Sequence, residues 1–287
     1  MRLTRVVSPL IVLAALALPA TVVHAQRYWH DDQGKDAIRL DFGLPFLKGD
    51  GHKFFTGTFV PSMSYRAGDG FRVEADIPIA RGAVEGESSL RLGNPYIGLR
   101  IGEDDKPVSG ILAARIPMSK SSSKAIDDLA MSAGAISDYD DFEAYSPNVL
   151  TFRGGLEYHR TGATGWMFGA RGVGSLQMNT GGDPTADSEM YFDYGARMGY
   201  AGARALAYVA LTGRYLITAP EHTFVCDPTD TGCDPKGFNE RTHNQVTGTV
   251  ELRTAKVRPR ISLRVPFDQD LRDIAGAILH VGVAIDR

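Results

Sequence analysis

AIRLDFGLPF at residues 37–46 and FRVEADIPI at residues 71–79 are the stretches that decide the fold. In both, apolar or aromatic side chains occupy every second position. The positions between them include Arg39 and Asp41 in the first stretch and Arg72, Glu74 and Asp76 in the second. A period of two places successive side chains on opposite faces of a β-strand. One face is then apolar and the other charged, which is typical of a barrel strand with lipid outside and a polar interior.

The same alternation recurs in about twelve segments, an even number as in single-chain outer-membrane barrels. Its phase slips at residues 93–95, which we interpret as a bulge. No segment after the N-terminal region has the roughly 20 apolar residues of a membrane helix, and a closed barrel is the remaining way to satisfy a backbone in lipid. We therefore predict an all-β fold, a single antiparallel up-and-down transmembrane β-barrel over residues 37–287. A soluble sandwich with an aromatic core is the alternative.

Connection lengths alternate along the chain. Tight turns follow every second strand, and the longer connections span residues 47–53, 80–89, 119–147, 178–188, 219–241 and 268–275. In this class short turns face the periplasm and long loops face the exterior, so we expect both chain ends on the periplasmic side. Two levels of lipid-facing aromatics are expected to form interfacial girdles: Tyr65, Phe71, Tyr158, Trp166 and Tyr200 near the turns, and Phe46, Phe55, Phe192, Tyr215 and Phe267 near the loops.

The N-terminus has the pattern of a secretory signal. Arg2 and Arg5 precede an apolar run over residues 11–23, and small residues before Gln26 predict cleavage after Ala25. We therefore assign residues 1–25 to a signal peptide and residues 26–36 to an N-terminal periplasmic segment. Loss of the two arginines shifts the net charge from −3 to about −5, and no basic block appears, which argues against nucleic-acid binding. The expected location is the outer membrane, with lipid and the β-barrel assembly machinery as partners.

The face opposite the apolar one is rich in arginine. Alternation points these arginines into the lumen: Arg39, Arg72, Arg91, Arg100, Arg115, Arg153, Arg171, Arg197, Arg214, Arg253, Arg258, Arg260 and Arg264. Fewer acids share that face, namely Asp41, Glu74, Asp76, Glu157, Asp193 and Glu251. One interpretation is a cation-lined pore that attracts anions, and the other is a plug of mutually neutralising pairs. We expect Arg258, Arg260 and Arg264 to form a ladder that no nearby acid fully neutralises.

The connection 119–147 is the longest. It predicts a short helix over Ala125–Ala135, followed by the acids Asp138, Asp140, Asp141 and Glu143. We favour a solvated acidic loop; the alternative folds it into the barrel mouth opposite the lumen arginines, as a constriction. These carboxylates lack a recognised metal-ligand spacing, so no metal site is predicted.

The two cysteines and the histidines complete the candidate chemistry. Cys226 and Cys233 predict a disulfide that staples the loop 219–241 in an oxidising compartment. The strand histidines His159 and His280 point inward, and neither an outward Ser–His pair nor a G-x-S-x-G elbow is present. We therefore expect neither an enzyme nor a cofactor.

Two short stretches carry a resemblance to known barrels. LGNPYIGLR at residues 92–100, followed by AARIP at 113–117, resembles an element of transporter barrels linked to phenol-degradation (meta-pathway) operons. The whole mature length resembles Gram-negative outer-membrane β-barrels. This resemblance implies uptake of small, often aromatic or acidic solutes. Such barrels often end in an aromatic residue that the assembly machinery reads, whereas this sequence ends in Ile285, Asp286 and Arg287.

The function predicted from the sequence is a channel or transporter-like barrel that passes small, anionic solutes through an arginine-lined lumen. The first alternative is a structural or adhesin-type barrel with a plugged lumen that acts through its outer loops. The second alternative is a lipid-modifying outer-membrane enzyme.

Overall fold

A computed structural model describes residues 36–47, 56–84, 86–102, 106–160, 164–181, 188–218, 241–254 and 256–287. The strands are β1 (Ala37–Leu47), β2 (Gly57–Gly68), β3 (Phe71–Asp76), β4 (Ile79–Val84), β5 (Glu87–Leu92), β6 (Tyr96–Ile101), β7 (Val108–Arg115), β8 (Val149–Arg160), β9 (Gly165–Asn179), β10 (Glu189–Ala201), β11 (Ala205–Leu216), β12 (Thr242–Leu252), β13 (Val257–Pro266) and β14 (Ala275–Asp286). The helices are α1 (Ala125–Ser137), a 3₁₀ helix (Tyr139–Ala144) and α2 (Gln269–Ile274). None of these helices is long and apolar enough to cross a membrane.

The sheet closes on itself because β1 pairs with both β14 and β2. All pairings are antiparallel, and the closed ring contains twelve strands, so the predicted up-and-down barrel is confirmed. The two remaining strands, β4 and β5, form a hairpin that continues β3 and β6 beyond the ring, with β4 also paired to the start of β2.

The breaks between β3 and β4 and between β5 and β6 lie side by side. Proline has no amide hydrogen and cannot donate to a strand ladder, and Pro78 and Pro95 stand at the two breaks. The Gly93 amide crosses from one break to the other and donates to the Pro78 carbonyl, at 2.8 Å. The predicted bulge at 93–95 is thus an interruption of the whole strand.

The predicted long loop over residues 80–89 is wrong. Residues 80–84 belong to β4 and residues 87–89 to β5, and Gly86, just before β5, has a φ of 82°, which favours glycine. The strand pattern was hidden because Ala80, Gly82 and Ala83 replace the large side chains of other strands. They are small because α1 packs directly on the hairpin: a Cβ on Gly82 would lie 2.8 Å from the Ala130 amide nitrogen.

We name the two ends of the barrel after the connections that they carry. The short-turn end carries the turns after β2, β6, β8, β10 and β12, and the long-loop end carries α1 and α2. The two ends of the described chain meet at the short-turn end, where the Arg287 amide donates to the Asp36 carbonyl at 2.8 Å. Residues 1–35, with the predicted signal peptide and nearly all of the N-terminal segment, lie outside the described residues.

The outer wall is apolar. Leu112, Leu156 and Trp166 are each more than 60% exposed, which a barrel in water would not tolerate over its whole circumference. The aromatics predicted for the girdles are exposed at both levels, for example Trp166 and Tyr200 near the turns and Phe192 and Phe267 near the loops. Tyr215 is half-buried, and Phe55 lies outside the described residues.

A charge on this wall should be costly. Val250 is 45% exposed in β12, and we expect Val250→Arg to lower the free energy of unfolding in lipid by about 2–4 kcal/mol. The apolar swap Val250→Leu is the matched control and should cost below about 1.5 kcal/mol. Denaturant titration of the folded barrel in vesicles measures both. Equal stability of the arginine and leucine variants would contradict the assignment of this face to lipid.

Candidate lumen site

Residues 119–148, which we call the inserted segment, leave and re-enter the wall at one point. The Asn148 amide donates to the Ser119 carbonyl at 3.0 Å, so the segment is a closed excursion from the ends of β7 and β8. Its helix α1, two residues longer than predicted, packs against the β4–β5 hairpin. Ala80 of the hairpin and Ala130 and Met131 of α1 belong to one buried apolar cluster, which also includes Ala144 and Tyr145.

The first turn of α1 is tied to β5 through Asp127. Ser122 donates to this carboxylate at 2.6 Å, Ser89 of β5 donates as well, and Arg91 pairs with it at 2.8 Å. The hydrogen bonds from Ser122 and Ser89 lower the pKa of Asp127, because they favour the ionised form. This attachment therefore stabilises the fold above the ordinary aspartate pKa and weakens as the pH falls below it.

Asn94 clamps the inserted segment to the break between β5 and β6. Its side chain is fully buried; Nδ2 donates to the carbonyls of Glu143 and Ser146 at 2.8 and 2.7 Å, and Oδ1 accepts from the Ser119 amide at 2.8 Å. Both ends of the segment are thus held by one residue. Sequence reasoning noted Asn94 only as part of a bulge; a polar residue between glycine and proline inside a strand was the available signal.

The 3₁₀ helix carries its acids into the lumen. Asp141 is bonded by both ends of the Arg115 guanidinium, with Nε at 2.9 Å, and by Arg153 Nη1 at 3.0 Å. Arg115 also forms a two-bond fork with Asp76 of β3, at 2.9 Å for each bond. Arg115 therefore joins the wall to the inserted segment.

Glu143 is the most deeply buried of these acids, with 0% exposure. Arg214 of β11 holds it with Nη1 at 2.8 Å and Nη2 at 3.3 Å, and Arg153 of β8 approaches at 2.5 Å. Asp193 of β10 completes this cluster by pairing with Arg214 and, at 3.5 Å, with Arg153. The Arg214 guanidinium also contacts the rings of Phe142 and Tyr191, at 4.8 and 5.0 Å from their centroids, and these two rings pack edge to face at 5.8 Å.

The remaining loop acids also contact side chains of the wall. Asp140 accepts from Thr212 at 3.0 Å and from Gln245, and Arg171 lies 3.8 Å away. Asp138 lies 3.8 Å from Arg264. All four acids are thus inside the barrel, and the solvated outer loop that we favoured is wrong. The reason is electrostatic: a buried guanidinium requires a nearby carboxylate, and these strands bring more arginines than acids to the long-loop half.

The arginines of the short-turn half also have acidic partners. Arg258 pairs with Glu251 at 3.0 Å and Asp286 at 2.7 Å, and Arg260 pairs with Asp41 at 2.5 Å. The expectation of a weakly neutralised ladder at Arg258, Arg260 and Arg264 is therefore wrong. The acidic partners of these three arginines come from β1, β12, β14 and the inserted segment. The spacing of the arginines along β13 gives no information about acids on other strands.

Other predicted lumen residues are distributed as follows. Arg100 bridges Glu74 and Glu157 at 3.2 and 3.0 Å, and Arg72 pairs with Asp36 at 3.4 Å. Arg39 and Arg197 are inward and buried. Arg253 differs: it lies beyond the last residue of β12, in the short turn, where it is half-buried.

Two further predictions concern metals and cysteines. Within the described ranges, no group of three or more His, Cys, Asp or Glu side chains could hold a metal ion. Cys226, Cys233 and the loop that contains them lie outside the described residues, so their disulfide stays a prediction.

Comparison with known proteins shows similarity of fold. No family model matches the sequence, and no curated protein sequence matches it. An outer-membrane channel from Pseudomonas putida F1 superposes with a TM-score of 0.54 at 10% identity, covering 88% of this chain and 96% of that one. LpxR from Salmonella typhimurium gives 0.49 at 10% identity, covering 87% and 99%, and the NanC porin gives 0.47 at 10%, covering 86% and 98%.

The chain thus has the fold of outer-membrane β-barrels, as its sequence predicted. The closed barrel, its apolar outer wall and its structural similarity to outer-membrane proteins place it in an outer membrane.

Proposed function

We propose that the protein is an outer-membrane channel for small, anionic solutes whose lumen is narrowed by the inserted segment. The observation that carries this proposal is the position of Asp138, Asp140, Asp141 and Glu143, which come from one excursion of the chain and meet arginines of many strands. When the part of the inserted segment that carries these four acids moves out of the lumen, those arginines face a water-filled lumen. Positive charge on a low-dielectric wall then attracts anions.

This proposal involves no cofactor and no chemical step, and it assigns the long-loop end to the cell exterior. Arginine suits such a lumen because its guanidinium stays charged at every physiological pH and forks onto carboxylate or phosphate groups. While the inserted segment lies in the lumen, its acids compensate the charges of the arginines, so the current should be small. The current should rise when the segment moves out of the lumen.

Planar-bilayer recording tests the channel and its selectivity. The wild-type protein should conduct with a preference for anions, and replacing Arg258, Arg260 and Arg264 with Gln should shift selectivity toward cations. The paired variant Arg260→Gln with Asp41→Asn is the matched control, because it removes one charge of each sign from a 2.5 Å pair and should leave selectivity unchanged. An ion selectivity that is unchanged in the triple variant would contradict the proposal of an anion-selective lumen.

A second candidate is favoured by the same compensation of charges. If the inserted segment never yields, the barrel is a closed scaffold that acts through its outer loops as an adhesin or receptor. Absence of current from the wild type at any voltage, together with current after removal of the inserted segment, would favour this second candidate.

A further inference from the structure

The Glu143 carboxylate is held in the way that proteins hold a ligand carboxylate. Two guanidiniums from different strands converge on it: Arg214 with two bonds at 2.8 and 3.3 Å, and Arg153 at 2.5 Å. Forked arginine contacts of this kind give both affinity and a fixed orientation for a planar anion. Arg153 and Arg214 belong to the wall strands β8 and β11, whereas Glu143 belongs to the inserted segment.

The wall part of this cluster keeps a positive charge when the inserted segment withdraws and takes with it Glu143 and also Asp141, which lies 3.0 Å from Arg153. Arg153 and Arg214 then face one acid of the wall, Asp193, which leaves one positive charge in a buried position. A buried charge without compensation is costly, so the cluster requires an anion, and one monovalent carboxylate balances it.

The wall also keeps Arg214 in place. Ser175 of β9 donates to Asp193 at 2.7 Å, and Asp193 in turn pairs with Arg214. The Tyr191 ring lies 5.0 Å from the Arg214 guanidinium, and its hydroxyl is fixed by a 2.5 Å hydrogen bond to Glu189. These supports come from β9 and β10 and hold Arg214 without the inserted segment, and Arg153 keeps its wall contact with Asp193 at 3.5 Å.

We propose that Arg153 and Arg214 form a binding site for the carboxylate group of a small solute, and that Glu143 occupies this site as an internal mimic in the narrowed state. The inference rests on the proposed function, because it supplies the step by which an anionic solute displaces the inserted segment. The solute places its carboxylate on the same two arginines, so Arg153, Arg214, Asp193 and the solute carboxylate together carry no net charge after displacement.

Chemical rescue tests the site. Glu143→Ala removes a methylene and a carboxylate, and acetate supplies the same group. In detergent, acetate should raise the Tm of Glu143→Ala saturably toward that of the wild type, and should raise the wild-type Tm less. Acetamide and sodium chloride at the same concentration should leave the variant unrescued. Glu87→Ala, at an exposed position of β5, is the matched control and should show no acetate-specific shift.

A second variant assigns the rescue to the arginines. Adding Arg153→Met to Glu143→Ala should abolish the acetate response, because the remaining Arg214 is already balanced by Asp193. Equal effects of acetate, acetamide and chloride on Glu143→Ala, or an acetate response that survives Arg153→Met, would overturn the site. This readout needs no current: a protein that binds acetate but never conducts overturns the proposed channel alone, and one that conducts without acetate rescue overturns this site alone.

Discussion

Replacing Arg115 with methionine is expected to lower the free energy of unfolding by about 3–5 kcal/mol, the usual cost of removing one partner from a buried ion pair. Arg115 is 1% exposed, forks onto Asp76 and Asp141, and donates to the Asn94 carbonyl at 2.7 Å. Methionine occupies a volume similar to that of arginine but carries no charge, so the lost free energy of unfolding comes from the missing ion pairs and hydrogen bonds. Denaturant titration in detergent or lipid measures the change.

Two variants bracket this effect. Arg115→Lys keeps the charge but cannot form the fork, so its stability should lie between those of the methionine variant and the wild type. Arg81→Met changes an exposed arginine of β4 and should stay within about 0.5 kcal/mol of the wild type. A cost for Arg115→Met no larger than that of the exposed control would show that the lumen pairs do not stabilise the barrel.

Deleting residues 121–146 and joining the remaining ends is expected to raise the single-channel conductance severalfold and to strengthen anion selectivity. The deletion is geometrically mild, because Ser119 and Asn148 are already hydrogen-bonded at 3.0 Å. It removes the 3₁₀ helix from the lumen together with six acids and one lysine. The uncovered arginines Arg115, Arg153, Arg171 and Arg214 then face the pore.

Planar-bilayer recording of the deletion beside the wild type measures the effect, and heat-modifiable migration on a gel shows that the deleted chain still forms a barrel. The variant Asp141→Asn with Glu143→Gln, which keeps the segment but weakens its attachment, should give an intermediate conductance. A folded deletion variant with the conductance of the wild type would show that the inserted segment does not narrow the pathway.

The amino-acid sequence by itself determined the wall of this barrel. Strict alternation, as in residues 37–46 and 71–79, is a local property, because successive side chains of one strand point alternately toward the lipid and toward the lumen. The number of strands in the ring, their antiparallel order and the outward aromatics such as Trp166 and Phe267 could therefore be predicted. Strand β4, which has Ala80, Gly82 and Ala83 at its buried positions, could not.

Only the tertiary structure decided what fills the barrel. Which acid neutralises which arginine depends on closure of the ring: Asp76 and Arg115 are 39 residues apart, and Asp41 and Arg260 are 219 apart. The same holds for residues 119–148, whose composition fits a solvated loop as well as a lumen segment. Their position inside the barrel follows from the balance of buried charge over the whole lumen and from the clamp at Asn94, and both arise only when distant strands meet.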